Sequence, residues 1–306
     1  MAGLRFSIVI TCHDQKSFIR DAVDCALSQT VAEKEIIVVD DASQDGSREI
    51  LQQYGNAIHL VELGQNVGAN RARNLGAAVA KGDYLVFLDG DDAFMPWALD
   101  VYDRIIDLKY PKIILSNLRF FWGALASVGK QDAPCRIELV DYALFLHKYR
   151  RYQACASTII IDRQQFSGVQ GWSEDIFPLD DIDLVTKLSC AGRAVQVLSP
   201  ATVFYRLHAN NSVRHVPPFI DMAHRIICKA RQGEYPGGRA RRFEVYAFVG
   251  GPTAFWVKRA FRAGLYQEGW KLMIAGRSLI LAAVARRWAA LIKGRQPTEV
   301  IELASS

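Results

Sequence analysis

The chain has 306 residues, half of them hydrophobic and 23% charged, which excludes a disordered chain and allows a large buried core. Its formal net charge of +5 is unevenly placed: residues 206–295 hold 17 Lys or Arg against 4 Asp or Glu, so the remainder is acidic. Six scattered cysteines without a C-x-x-C pair speak against a zinc site or a disulfide framework, and no run reaches the ~20 apolar residues of a membrane span.

Met1 to Ile10 holds only a short apolar stretch, which reads as a first strand and not as a signal peptide. With the cysteines taken as buried free thiols in a reducing compartment, the expectation is a cytoplasmic protein. The first ninety residues then alternate between strand and helix patterns. Strands are predicted at Phe6 to Ile10, Glu35 to Val39, Ile58 to Val61 and Tyr84 to Leu88. Helices are predicted from Ser17 to Gln29, from Ser47 onward and from Ala69 to Ala80. This spacing makes βαβ units and a mostly parallel, Rossmann-like sheet flanked by helices.

Each of these strands runs into a polar cluster: Thr11-Cys12-His13-Asp14, Asp40-Asp41-Ala42-Ser43, Gly64-Gln65-Asn66 and Asp89-Gly90-Asp91-Asp92. Carboxyl ends of parallel strands share one edge of the sheet, so the four clusters should converge on one crevice. The last is the most informative. Three carboxylates packed that closely repel one another unless a cation or a positive side chain offsets them, and they are hard oxygen ligands suited to Mg²⁺ or Mn²⁺. The competing explanation is an Asp-Gly turn that caps a helix from Met95, with Pro96 in its first turn.

Further strands are predicted at Lys112 to Leu118, Ala156 to Ile161 and Val195 to Leu198, with helices near Asp141 to His147 and from Asp180 to Ala191. Beyond about Pro217 the pattern turns helical and basic, and Tyr235-Pro236-Gly237-Gly238 is the best candidate for a break between core and tail. On this pattern residues 1–215 form an α/β domain, which the resemblance described below makes a catalytic domain divided near residue 110 into nucleotide and acceptor halves, and 216–306 a basic helical C-terminal extension. Within the extension Trp270, Met273, Ile274, Ile280, Leu281, Val284, Trp288, Leu291 and Ile292 fall on one helical stripe. Such a stripe suits either a helix lying on an anionic membrane or one packed on the core or on a partner subunit.

Taken in order, Ser7-Ile8-Val9-Ile10-Thr11, Val38-Val39-Asp40-Asp41-Ala42-Ser43, Asn66-Val67-Gly68-Ala69 with Ala72-Arg73-Asn74, Leu88-Asp89-Gly90-Asp91-Asp92, Gly171-Trp172 with Asp180-Asp181, and Tyr205-Arg206-Leu207-His208 resemble the family 2 glycosyltransferases and their A-type fold. The match runs from Phe6 to about Ser212. The resemblance implies that Thr11, Asp41 and Arg73 hold the nucleotide, that Asp89 contacts its ribose, and that Asp91, joined by His208, binds the metal. It implies that Asp181 is the general base of a direct, inverting displacement, and that Gly171-Trp172 shapes the acceptor pocket. Asp180 stands where the family usually has Glu. A helix N-terminus near Asp181 would keep that base ionised at neutral pH.

Chemistry at these positions is consistent with those roles. A carboxylate can accept from a base N–H, an Arg can donate to phosphate, and an imidazole ligand favours Mn²⁺ over Mg²⁺. Bland alternatives remain beside them: Asp41 as a turn residue, Arg73 as a solvated helix residue, His208 as structural, Trp172 as core, and the three aspartates of 180–183 as helix caps. The expected activity is transfer of a sugar from a nucleotide diphosphate, a UDP-sugar foremost, to a glycan or lipid-linked acceptor, by a protein cytoplasmic or peripheral on the inner face of the membrane. The alternatives are a sugar-nucleotide nucleotidyltransferase, which lacks its basic Gly-rich loop here, and a non-catalytic sugar-nucleotide-binding protein. No G-x-G-x-x-G follows the first strand, against a dehydrogenase, and the basic tail carries no nucleic-acid recognition motif.

Overall fold

The computed structural model describes residues 4–123, 125, 135–141, 155–188, 192–209, 211–292 and 299–303. The first half follows the predicted alternation closely. Strand β1 spans Phe6–Cys12, β2 Lys34–Asp40, β3 His59–Glu62 and β4 Tyr84–Asp89, with helices α1 at Ile19–Leu27, α2 at Ser47–Gln52 and α3 at Ala69–Val79 between them. Along β1, Phe6, Ile8 and Ile10 belong to one apolar cluster and Val9 to another, and Leu85 and Phe87 of β4 oppose Val86 and Leu88 in the same way. That period of two, with both faces apolar, is what a strand covered by helices on both sides requires.

The remaining strands are β5 at Ala93–Phe94, β6 at Ile113–Leu115, β7 at Leu118–Trp122, β8 at Cys135–Asp141, β9 at Ile159–Asp162, β10 at Arg193–Ser199, β11 at Val203–Leu207 and β12 at Glu299–Leu303. Nine of them form one sheet in the order β12-β8-β10-β6-β9-β4-β1-β2-β3, and a smaller sheet runs β5-β11-β7. In the large sheet β8 and β9 run against their neighbours, and the other strands share one direction. The strand expected over Lys112 to Leu118 is two strands, β6 and β7, in different sheets. The helix expected from Met95 starts later, as α4 at Ala98–Lys109, because Ala93 and Phe94 pair with β11 first. The helix expected near 141–147 lies, but for Asp141 at the end of β8, outside the described residues.

Helices α5 at Arg163–Gly168 and α6 at Asp180–Lys187 precede three long helices, α7 at Val216–Gln232, α8 at Arg242–Arg262 and α9 at Tyr266–Ile292. Pro217 and Pro218 sit in the first turn of α7, where a missing N–H costs nothing. Phe219, Ile220, Ile226, Trp256, Leu272 and Leu279 of these helices join the cluster that holds Val9 and Phe87 of the sheet. Tyr235, in the expected break, is buried and donates from its hydroxyl to Asp183 at 2.8 Å, so the segment is fastened to the core.

Helix α9 buries Gly269, Leu272, Gly276, Leu279 and Ala282. Small residues there let two backbones meet: a Cβ on Gly250 of α8 would overlap the Leu279 carbonyl. Most of the expected apolar stripe of α9 lies on the other side, with Trp270, Ile274, Leu281, Val284, Trp288, Leu291 and Ile292 exposed. Only Met273 and Ile280 of that set pack against the core. Five cysteines are described and all are free, Cys12 and Cys135 buried as expected but Cys228 exposed on α7. Among the described residues no helix is long and apolar enough to cross a membrane.

Candidate active site

β1 lies between β2 and β4, so the chain passes from β1 outward to β3 and then returns to the other side of β1. The carboxyl ends of β1 and β4 flank this switch point, the usual place for a ligand in such a sheet. Thr11 and Asp89 are register partners there. The Gly90 N–H donates to the Thr11 carbonyl at 3.0 Å, and a Cβ on Gly90 would stand 2.7 Å from that same oxygen. Glycine is therefore needed for the Asp89-Gly90-Asp91 turn to close against β1.

At the end of β2 the two aspartates diverge. Asp40 is fully buried and paired with Arg48 at 2.7 Å. Asp41 accepts from the Val67 N–H at 2.7 Å and the Gly68 N–H at 2.9 Å, tying the loop before α3 to the switch point. Thr11 and Asp41 are both buried at this edge.

The three carboxylates at the end of β4 and in the turn beyond it each have a different environment. Asp89 accepts from Arg73 Nη2 at 2.6 Å. Asp91 Oδ2 lies 2.8 Å from His208 Nε2, and both side chains are 18% exposed. Asp92 is buried, accepts from Ser157 Oγ at 2.7 Å and from the Arg206 N–H at 3.1 Å, and is pushed well above the usual carboxylate range by burial and by the charges of Asp91 and Asp89. Arg206 of β11 braces the loop: its Nε donates to the Asp91 carbonyl at 2.9 Å and its Nη2 to Asp21 at 2.6 Å, while its guanidinium lies between the rings of Phe18 and Phe121. The mutual repulsion expected from the sequence is thus met by a different partner at each position.

Arg73 is 4% exposed, not a solvated helix residue. Besides Asp89 it donates from Nη1 to Asp180 Oδ2 at 2.7 Å and to Asn70 Oδ1 at 2.8 Å, and its guanidinium lies 5.0 Å from the centroid of the Trp172 ring. Asn74, one residue on, holds Trp172 by its main chain: Oδ1 accepts from the Trp172 N–H and Nδ2 donates to the Trp172 carbonyl, each at 2.9 Å. Asn70 Nδ2 donates to the carbonyls of Ser173 and Ile176. Asn70, Arg73 and Asn74 are spaced i, i+3, i+4 and share one face of α3. That spacing was the available signal for a helix that carries the second half of the site. Trp172 is itself buried, edge-on against Phe87, as its core reading expects.

Helix α6 follows Leu179, whose φ of 81° lies in the left-handed region. Its three aspartates do not act together as caps. Asp180 faces Arg73, and Asp183 is fully buried, accepting from Ser173 Oγ, Lys229 Nζ and the Tyr235 hydroxyl. Asp181 accepts from its neighbour's N–H, that of Ile182, at 2.8 Å. Burial and the charge of Asp180 push the Asp181 carboxyl up to about 8. The expected hold of the helix N-terminus on an ionised Asp181 is outweighed, since the Ile182 N–H and Arg73 offset only part of that rise.

The fit of a divalent cation rests on the Asp91–His208 pair. No group of three or more His, Cys, Asp or Glu is arranged as metal ligands among the described residues. One carboxylate oxygen and one imidazole nitrogen, facing each other on a half-open edge, suit an ion whose remaining positions are filled by water and by phosphate oxygens.

Comparison with known proteins gives a consistent result. The family model described as glycosyl transferase family 2 matches residues 7–152. The putative teichuronic acid biosynthesis glycosyltransferase TuaG of Bacillus subtilis is 38% identical over 212 residues, 68% of this chain and 80% of that protein. The UDP-Glc:alpha-D-GlcNAc-diphosphoundecaprenol beta-1,3-glucosyltransferase WfaP of Escherichia coli is 30% identical over 67% of this chain and 78% of its own. Among solved structures, S. aureus TarS 1–349 in complex with UDP-GlcNAc superposes with a TM-score of 0.69 at 17% identity, covering 91% of this chain and 81% of that one. The mannosyltransferase PcManGT of Pyrobaculum calidifontis, in complex with GDP-Man and Mn²⁺, gives a TM-score of 0.52 at 17% identity over 94% and 88%. At that identity the two structures speak for the fold alone.

Proposed function

We propose that this chain, which belongs to glycosyl transferase family 2, moves a sugar from a nucleotide diphosphate to a hydroxyl of a glycan or lipid-linked acceptor, with inversion at the anomeric carbon. The observation that carries this reading is Arg73, which joins Asp89 on the nucleotide edge of the sheet to Asp180, the neighbour of Asp181. A donor seated on Thr11, Asp41 and Asp89 would lie along the switch point. Asp181 then takes the proton from the acceptor hydroxyl as its oxygen attacks C1 and the nucleoside diphosphate leaves from the opposite face. A single base on one side of the reacting carbon supports one displacement, hence inversion.

Asp91 and His208 are the residues that would hold Mn²⁺ or Mg²⁺. The bound ion supplies positive charge for the oxygens of the leaving diphosphate. Arg73 keeps Asp89 and Asp180 in place through its two Nη atoms, so it positions both ends of the site. UDP is the favoured nucleotide, because WfaP is named for UDP-Glc and TarS was solved with UDP-GlcNAc.

A panel of nucleotide sugars with Mn²⁺ present tests the reading, scored by thermal shift and by slow hydrolysis. A UDP-sugar should raise the melting temperature and release UDP. Pyrophosphate release from a nucleoside triphosphate and a sugar phosphate would instead favour the nucleotidyltransferase alternative, and binding without turnover on any acceptor the non-catalytic one.

A further inference from the structure

Helix α9 is amphipathic in an unusual sense. Its buried face is narrow and made largely of small residues, while large apolar side chains line the face turned to solvent. Trp270 is 54% exposed, Trp288 62% and Ile292 79%, and Ile274, Leu281 and Leu291 stand with them. Positions 270, 274, 281, 288, 291 and 292 recur at intervals of three, four and seven, so they form one stripe down a helix of 27 residues, ~40 Å long. A contiguous apolar patch of this kind on a monomer marks a surface that meets something else.

The charges around the stripe select the partner. Arg277 is exposed and falls within it, and Lys271 is exposed at its margin. Over 216–292 there are 13 Lys or Arg against 4 Asp or Glu. Aromatic and aliphatic side chains on one face with cations on and beside it fit the boundary of a bilayer that carries anionic headgroups. Arg277 can bury its stem and keep its guanidinium among the phosphates. A second copy of this chain fits less well. An isologous contact through the stripe would bring Arg277, near the helix midpoint, close to its own copy. No described helix can cross the membrane, so the contact would lie along its surface.

We propose that the exposed face of α9 is a membrane-docking surface that seats the protein on an anionic bilayer through Trp270, Leu281 and Trp288, with Arg277 and Lys271 at the headgroups. None of these residues belongs to the switch point, so docking and nucleotide binding can be scored by separate measurements.

Flotation of the full chain with phosphatidylglycerol-containing vesicles tests this directly. The wild type should float with them, float less with pure phosphatidylcholine, and be partly released as salt rises. Trp270→Glu with Trp288→Glu should weaken partitioning on the order of tenfold or more, with melting temperature and UDP affinity unchanged. If that variant does not fold, Trp270→Phe with Trp288→Phe serves instead: bromine-labelled acyl chains should quench wild-type indole fluorescence, and the Phe variant should lose that quenching. A well-folded wild type that ignores anionic vesicles overturns the proposal. So does a wild-type dimer in sedimentation that the Glu variant converts to a monomer, since a second copy would then cover the stripe.

Discussion

Arg73 and Asp180 are 107 residues apart in sequence and joined by a 2.7 Å ion pair in the fold. The other arm of the same guanidinium holds Asp89, so one buried cation links the end of β4 to the start of α6. Breaking a buried pair from one side leaves the opposite charges uncompensated, which costs about 3–5 kcal/mol. Arg73→Ala should therefore lower urea-unfolding stability by an amount of that order and weaken UDP binding as Asp89 loses its anchor. Arg73→Lys keeps the charge but not the fork, and should recover more stability than activity.

Asp181 should set the acid limb of the pH profile. Its folded-state pKa lies near 8, above the ordinary carboxylate value, so the base is protonated and idle at low pH and becomes competent as pH rises through 8. Turnover under saturating donor should rise about tenfold per pH unit below that point and level off above it. Asp180→Asn removes a negative charge that raises this pKa, so the limb should move to lower pH while burial keeps it above the usual range. An unmoved limb would assign the ionisation to another group.

Metal dependence should follow the Asp91–His208 pair. Calorimetric titration of UDP into the wild type should give tighter binding with Mn²⁺ than with a chelator. In Asp91→Asn that difference should collapse, and His208→Ala should reduce it by a smaller amount. A full Mn²⁺ enhancement in the Asp91 variant would move the ion elsewhere.

Asp183 ties α6 to the C-terminal helices through Lys229 and Tyr235. Tyr235→Phe deletes one hydrogen bond to a buried carboxylate and should cost about 1.5–3 kcal/mol in urea unfolding. Lys229→Met should cost more, since it removes a charge partner from a side chain with no exposure.

Much of the first half of the fold could be read from residues alone. Continuous apolar runs such as Tyr84 to Leu88 announce buried strands, and the aspartates after them mark the edge where strand ends meet. What could not be read depends on contacts distant in sequence. The small sheet pairs Ala93 and Phe94 with Phe204 and Val203, and no local pattern foretells it. Tyr235-Pro236-Gly237-Gly238 has the composition of a linker, yet Tyr235 reaches a buried carboxylate. The two carboxylates that fasten Arg73, at the end of β4 and at the start of α6, could not be read either. In α9 the stripe itself was visible, but not which side it faced, because close helix packing reverses the rule that the larger apolar face is buried: Gly269 and Gly276 turn inward and Trp288 outward.

Asp181 carries the proposed chemistry, and a paired measurement on Asp181→Asn tests it most directly: donor affinity by calorimetry, and sugar transfer to a working acceptor. Loss of a general base costs on the order of 10²–10⁴ in rate, whereas the proposed donor contacts at Thr11, Asp41 and Asp89 lie on other strand ends. The predicted result is UDP-sugar affinity within about twofold of wild type with transfer reduced by at least 10²-fold. Transfer at near wild-type rate would rule out Asp181 as the general base and leave it a helix-end carboxylate without a part in the chemistry.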